Sequence, residues 1–153
     1  MNLAKMFKKM SAWPCGKYIF SKMAAQKAPY FASINPFVSE LTETKCVVHV
    51  KKRRSVSNHI GTVHAIAMCN ACELAFGFTV EAGLPHHLRW IPKAMTVRYL
   101  KKADTDLVAT CDYPEVLKLT VGDHIVPVKV RNTSGEIVME ADITVYVSER
   151  PKI

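Results

Sequence analysis

Residues 61–80 constrain this chain more than any other stretch. A polar turn, Asn58-His59-Ile60-Gly61-Thr62, feeds a run in which Val63, Ile66, Ala67, Met68, Ala71, Leu74, Phe76, Phe78 and Val80 leave no wide polar face. A helix of that kind is expected to be buried. Gly83 and Pro85 are expected to end it. The run carries one carboxylate, Glu73, with no Lys or Arg three or four residues away on either side. Burying an unpaired carboxylate is costly, and a fold tolerates that cost most readily where the group does chemistry. Glu73 is therefore expected to be buried and functional. The alternative is a carboxylate buried at a subunit interface and paired there with a basic group.

The rest of the chain supplies strands. In Lys45 to Arg54, Cys46, Val48 and Val50 alternate with Val47, His49 and Lys51, the period of a strand. Pro36 to Glu43 begins a shorter strand before it. Four candidates follow the helix: Lys93 to Lys101, Leu107 to Asp112, Ile125 to Asn132 and Ile137 to Val147. Asn132-Thr133-Ser134-Gly135 is a hairpin turn between the last two. One long apolar helix among antiparallel strands implies an α+β fold, a sheet curled around the helix. Residues 1–33 read as an amphipathic helical extension broken at Trp13-Pro14 and Pro29, and residues 34–153 as the main domain. Leu3, Met6, Phe7 and Met10 share one helical face, as do Ile19, Phe20 and Met23. The extension serves packing, a lid or an interface.

At 153 residues and 49% hydrophobic, one domain with a sizeable core is expected. No apolar run of about 18 residues predicts a membrane span. Lys5, Lys8 and Lys9 interrupt any signal-peptide core, so the expectation is a cytoplasmic protein. Five cysteines, an odd count in mostly apolar surroundings, suit reduced buried thiols. Cys69 and Cys72 form a C-x-x-C in mid-helix, whereas a redox pair opens a helix. No second pair completes a zinc site, and His86-His87 lack an acidic or Cys partner. No metal and no cofactor are expected. The net charge is +8, with basic residues at Lys51-Lys52-Arg53-Arg54, at the N-terminus and at Arg98 to Lys102. They form a solvated surface or meet nucleic acid, an anionic membrane or a phosphorylated small molecule. Nucleic acid is disfavoured, because no recognition motif or interleaved aromatics accompany the charge.

The element order, together with Asn58, His64 and Glu73, resembles the hotdog fold of acyl-CoA thioesterases. The likeness is to the phenylacetate-degradation-type branch and a neighbouring uncharacterised thioesterase-like family. In that branch an Asn stands six residues before a His, two glycines follow the His, and an Asp or Glu lies nine residues after it. Asn58, His64 and Glu73 keep these spacings, and the resemblance spans residues 35–148. Ala65-Ile66 stand in place of the two glycines. The Ser or Thr often found on the strand after the helix has no unambiguous equivalent, Thr96 being the candidate.

What the resemblance implies is an antiparallel sheet wrapped around one long central helix, and hydrolysis of an acyl-CoA thioester. The N–H of Ala65, at a helix N-terminus, would meet the carbonyl oxygen where negative charge grows. Glu73 would act as general base or nucleophile, and Asn58 would orient water or the thioester. His64 would hold the turn or donate to substrate, or else is a satisfied buried histidine. The candidate binding residues are His59, Gly61, Ile66, Asn70, Arg89 and Trp90. Gly61 serves the sharp turn, and Ile66 narrows the site. Asn70 donates to the Glu73 carboxylate or bonds locally. Arg89 pairs with a carboxylate or phosphate, and Trp90 walls an acyl pocket or sits in the core. Ala65 and Glu73 lie about 12 Å apart along a helix, too far to serve one carbonyl from one chain. The resemblance answers with a homodimer or tetramer in which one subunit's helix start nears the other's carboxylate. The competing readings are a non-catalytic acyl-CoA or fatty-acyl binding protein, favoured by Ala65 and Ile66, and a dehydratase of the same fold.

Overall fold

In the computed structural model, which describes residues 2–151, the alternating segments form one antiparallel sheet. Its strands are β1 (Phe37–Leu41), β2 (Lys45–Val50), β3 (Leu88–Tyr99), β4 (Leu107–Asp112), β5 (Gly122–Arg131) and β6 (Ile137–Glu149). They lie in the order β1-β2-β4-β5-β6-β3. Register explains which face is apolar. Cys46 stands opposite Cys111, Val48 opposite Ala109 and Val50 opposite Leu107. Val126, Val128 and Val130 face Ile143, Ala141 and Met139 in the same way. All of these side chains are buried, while their strand neighbours Ile125, Pro127 and Lys129 are exposed. The buried face wraps the long helix α3 (Ala65–Gly83), which packs on β2, β4, β5 and β6.

The helix begins at Ala65 rather than at Gly61. Val63 N–H donates to Ala103 O at 2.7 Å and His64 N–H to Val56 O at 2.8 Å. These donors are held by other segments, so the chain enters the helix extended. At the other end Gly83 lies so close to the β1–β2 turn that a Cβ would sit 2.2 Å from Glu43 O and 2.5 Å from Val116 Cγ1. Among the described residues α3 alone has the length and hydropathy of a membrane span. It is the core helix of the sheet.

The expectation of a helix buried all round is corrected. Ten of its 19 residues are buried, but Ile66, Glu73 and Glu81 are exposed and Cys69 and Gly77 half-buried. One curled sheet covers one side of a helix only. Part of the other side is covered by α1 (Leu3–Ser11), α2 (Gly16–Lys27) and the 3-10 turn Pro29–Ile34. Phe7 meets Phe20 edge-on at 5.0 Å, and Phe20 meets Phe78 of α3 at 5.9 Å. The Asn2 side chain caps α1 through Ala4 N–H at 2.8 Å and donates to Ala82 O at 2.7 Å. The N-terminal helices thus share the core of the sheet.

On the outer face of β2, His49 Nε2 lies 2.8 Å from Ser39 Oγ. Burial pushes its pKa below the usual histidine value, since desolvation disfavours the charged ring. With a folded pKa below the unfolded one, the stability it contributes is present above about pH 6.5 and lost as pH falls through the folded value. Thermal melts are expected to show a lower midpoint at pH 5 than at pH 7.5, with a smaller difference in His49→Gln. An undiminished difference in that variant assigns the effect to other groups.

Candidate active site

The start of α3 is built by its preceding loop. Asn58 Nδ2 donates to Thr62 Oγ1 at 2.8 Å, and its Oδ1 accepts from the N–H groups of Ile60 and Thr62 at 3.2 and 3.1 Å. Gly61 turns the chain at φ +79°, a conformation glycine adopts without strain. Asn58 therefore shapes the loop. His64 is exposed and is the N-cap, its Nδ1 accepting from Ile66 N–H at 3.1 Å. Holding the turn is the role this bond supports, and a buried histidine is ruled out. Met68 N–H reaches His64 O at 3.2 Å. Among the described residues, the N–H groups of Ala65 and Ala67 have no protein acceptor. Two free donors at the positive end of a 19-residue helix make a place for developing negative charge.

Glu73 lies two turns further on and is exposed, which corrects the expectation of burial: it falls on the stripe the sheet leaves uncovered. Asn70 does not reach it. The Asn70 side chain is 5% exposed and turns to the N-terminal segment, donating to Ser33 Oγ at 3.1 Å and Tyr30 O at 3.4 Å. Its Oδ1 is buried without a partner.

Two hollows flank this stripe. A polar cleft of about 190 Å³ at the helix start is lined by Ser33, Ser55, Ser57, His64, Ile66 and Asn70. Further along, an apolar groove of about 550 Å³ runs past Glu73, Gly77 and Glu81, walled by Met6, Met23 and Trp90. Trp90 packs edge-on against Phe76 at 5.3 Å and donates from Nε1 to Glu81 Oε2 at 2.9 Å. Glu81 was not singled out from the sequence, although its place eight residues after Glu73 puts both on one helix face. Arg89 turns elsewhere, its Nε bonding Ser148 Oγ at 3.1 Å. His59 is an exposed loop residue, and Thr96 is exposed on β3.

The basic run divides by its partners. Lys52 donates its backbone N–H to Asp106 Oδ1 at 2.8 Å and its Nζ to Asp104 O at 2.9 Å, and Arg53 donates to Ser33 O at 3.0 Å and to Ser55 Oγ. Arg98 pairs with Glu140 and Asp142 at 3.3 and 3.0 Å, and Lys101 pairs with Glu136. Lys51 and Arg54 are exposed with no acidic partner among the described residues. The C-x-x-C is unsuited to redox work: Cys72 is fully buried and burial pushes its thiol up, which suppresses the reactive thiolate. Cys69 Sγ lies 3.5 Å from the Tyr99 hydroxyl, and this bond, with burial, pushes that hydroxyl up to about 12.

The family described as a domain of unknown function, DUF4442, matches residues 16–147. A structural-genomics protein, APC5556, has 44% identity and a TM-score of 0.85, over 97% of this chain and 99% of that one. PA5026 of Pseudomonas aeruginosa, a protein of unknown function named "Probable Thioesterase", has 16% identity and a TM-score of 0.76, over 85% and 93% of the two chains. Thioesterase HI1161 of Haemophilus influenzae has 10% identity and a TM-score of 0.69, over 78% and 82%. The fold is the hotdog fold of such thioesterase-family proteins. No curated protein matches the sequence.

Proposed function

The chain belongs to the DUF4442 family, a domain of unknown function, and from that premise we propose that it hydrolyses acyl thioesters of coenzyme A. One observation carries the proposal: the unpartnered N–H groups of Ala65 and Ala67 stand at the start of the hotdog helix, and the exposed Glu73 lies two turns along its uncovered stripe. The carbonyl oxygen rests on those donors. Glu73 of the partner subunit takes a proton from water, whose oxygen adds to the carbonyl carbon. The oxyanion is held by the N–H groups. Its collapse breaks the C–S bond, the proton passes from Glu73 to the leaving sulfur, and the CoA thiol departs with the carboxylic acid, which loses its proton to solvent. Asn58 and His64 hold the donors in place. The test is a panel of acyl-CoAs assayed for free thiol, in which release above the uncatalysed rate is expected.

Sharing the site requires two copies. β3 has 12 residues and pairs with β6 on one side only. A long unpaired edge is a template for another strand. Lys93 bulges out of the pairing between Pro92 and Ala94, and Ala94 to Tyr99 is regular. Trp90 ties this strand to the α3 stripe through Glu81, so joining two β3 edges brings two stripes together. Light scattering at micromolar concentration is expected to show at least twice the 17.1 kDa chain mass. A monomer refutes the shared site.

Lys51 and Arg54, exposed near the helix start, suit the phosphates of the CoA handle. Neutralising both is expected to raise KM with little change in kcat, and salt is expected to raise KM in the same way. An unchanged KM assigns them to the solvated surface.

One feature favours a second reading. Ile66 is 53% exposed beside the free donors, where it narrows access to the carbonyl position. If the wild-type protein binds acyl-CoA and releases no thiol, the chain is a binding protein and Ile66 is the first residue to replace with glycine.

A further inference from the structure

We propose that the groove between the N-terminal helices and α3 holds the acyl chain of a straight, medium-length thioester, an inference that rests on the hydrolase reading above and names its substrate class. The groove begins at Glu73 and passes Gly77 to Glu81. That path is roughly 12 Å along α3, the reach of about eight to ten extended carbons.

Its two walls differ in kind. On the floor, Gly77 lets Trp90 come down onto the helix, where an added Cβ would stand 3.3 Å from the indole ring. The ring is then fixed by its bond to Glu81 at 2.9 Å and by Phe76. The outer wall is Met6 and Met23, and Met23 is 49% exposed. Unbranched methionines re-pack around apolar shapes that vary in length. A rigid floor and an adaptable wall suit a linear chain.

Glu73, Glu81 and Lys27 put charge of both signs on the groove lining, so selectivity for the chain rests on the apolar walls. Because the walls come from α1 and α2, the N-terminal extension sets chain length.

The test compares butyryl-, octanoyl- and palmitoyl-CoA hydrolysis by wild type, Met23→Trp and Met23→Ala, with circular dichroism to verify folding. Binding of decyl-CoA, a thioether that is not hydrolysed, is measured by calorimetry. Wild type is expected to prefer octanoyl-CoA. Met23→Trp is expected to lower the octanoyl-to-butyryl ratio of kcat/KM by about tenfold or more, since each displaced methylene is worth roughly fourfold. Decyl-CoA affinity falls with it, and Met23→Ala raises palmitoyl relative to octanoyl. Unchanged ratios and unchanged decyl-CoA binding in both folded variants overturn the proposal while leaving hydrolysis standing, the result expected if a second copy of the chain fills the groove. No hydrolysis of any ester, with decyl-CoA binding that Met23→Trp still weakens, refutes the hydrolase reading and upholds the groove.

Discussion

Glu73→Gln is expected to lower kcat for acyl-CoA by about 10²–10⁴, the range that general-base assistance supplies. The amide keeps the size of the side chain and loses the base. KM is expected to stay near the wild-type value, since the role proposed for Glu73 is at the reacting carbon and not at the CoA handle. Stability is expected to be unchanged within about 0.5 kcal/mol, because Glu73 is exposed on the chain and substitutions at such positions are usually that mild. Steady-state assays with a thermal melt check all three. Wild-type turnover in Glu73→Gln makes the carboxylate structural. A large stability change instead indicates that Glu73 is engaged at an interface between copies.

Ala65→Pro tests the other proposed group, the oxyanion donor at the helix start. Proline has no N–H, and at the first helical position it is tolerated, since that N–H has no intrahelical acceptor. The preceding residue must be extended, and His64 already is, at φ −62° and ψ 139°. The helix is therefore expected to remain intact while one oxyanion donor is lost, a change worth about 10²–10³ in kcat. The two variants together decide whether the site is shared. If Ala65 of one chain serves the partner's Glu73, co-refolded Ala65→Pro and Glu73→Gln chains form mixed dimers. One of the two sites in such a dimer has both native groups, and activity returns. If both groups serve one carbonyl within a single chain, every site in the mixture is defective, and no activity returns.

The sheet and its helix were legible because the strands left a period of two, as in Cys46, Val48 and Val50, and α3 left a dense apolar run. The helix start was misplaced by four residues because its cause is non-local. The backbone donors of Val63 and His64 are held by Ala103 and Val56, which no local pattern reveals. The burial of Glu73 was overestimated for a related reason. Hydrophobicity all round a helix reports what finally covers it, including anything a second chain supplies, whereas one chain covers only its own side. Asn70 was readable as a helix-face amide. Its actual partners, Tyr30 and Ser33, belong to a segment that docks only through the tertiary fold. The resemblance to the thioesterase branch brought out Asn58 and His64, and the bonds they make at the loop and cap give those positions a local structural reason.

The hydrogen bond from Asn2 to Ala82 has a consequence for how the chain is made. α1 and α2 leave the ribosome before the groups they dock against, Phe78 and Ala82 among them, which lie near the end of α3. At roughly 5–20 residues per second, the 80 residues between those partners take about 4–16 s to appear. For that interval Phe7 and Phe20 have no core to enter, and the closing contacts span long loops, which slows folding. β3 waits too, for a shorter interval, because its partner strand β6 is made only after β4 and β5. A ribosome that stalls before residue 82 thus holds amphipathic helices without their docking face, and one that stalls before residue 137 holds β3 with neither edge paired.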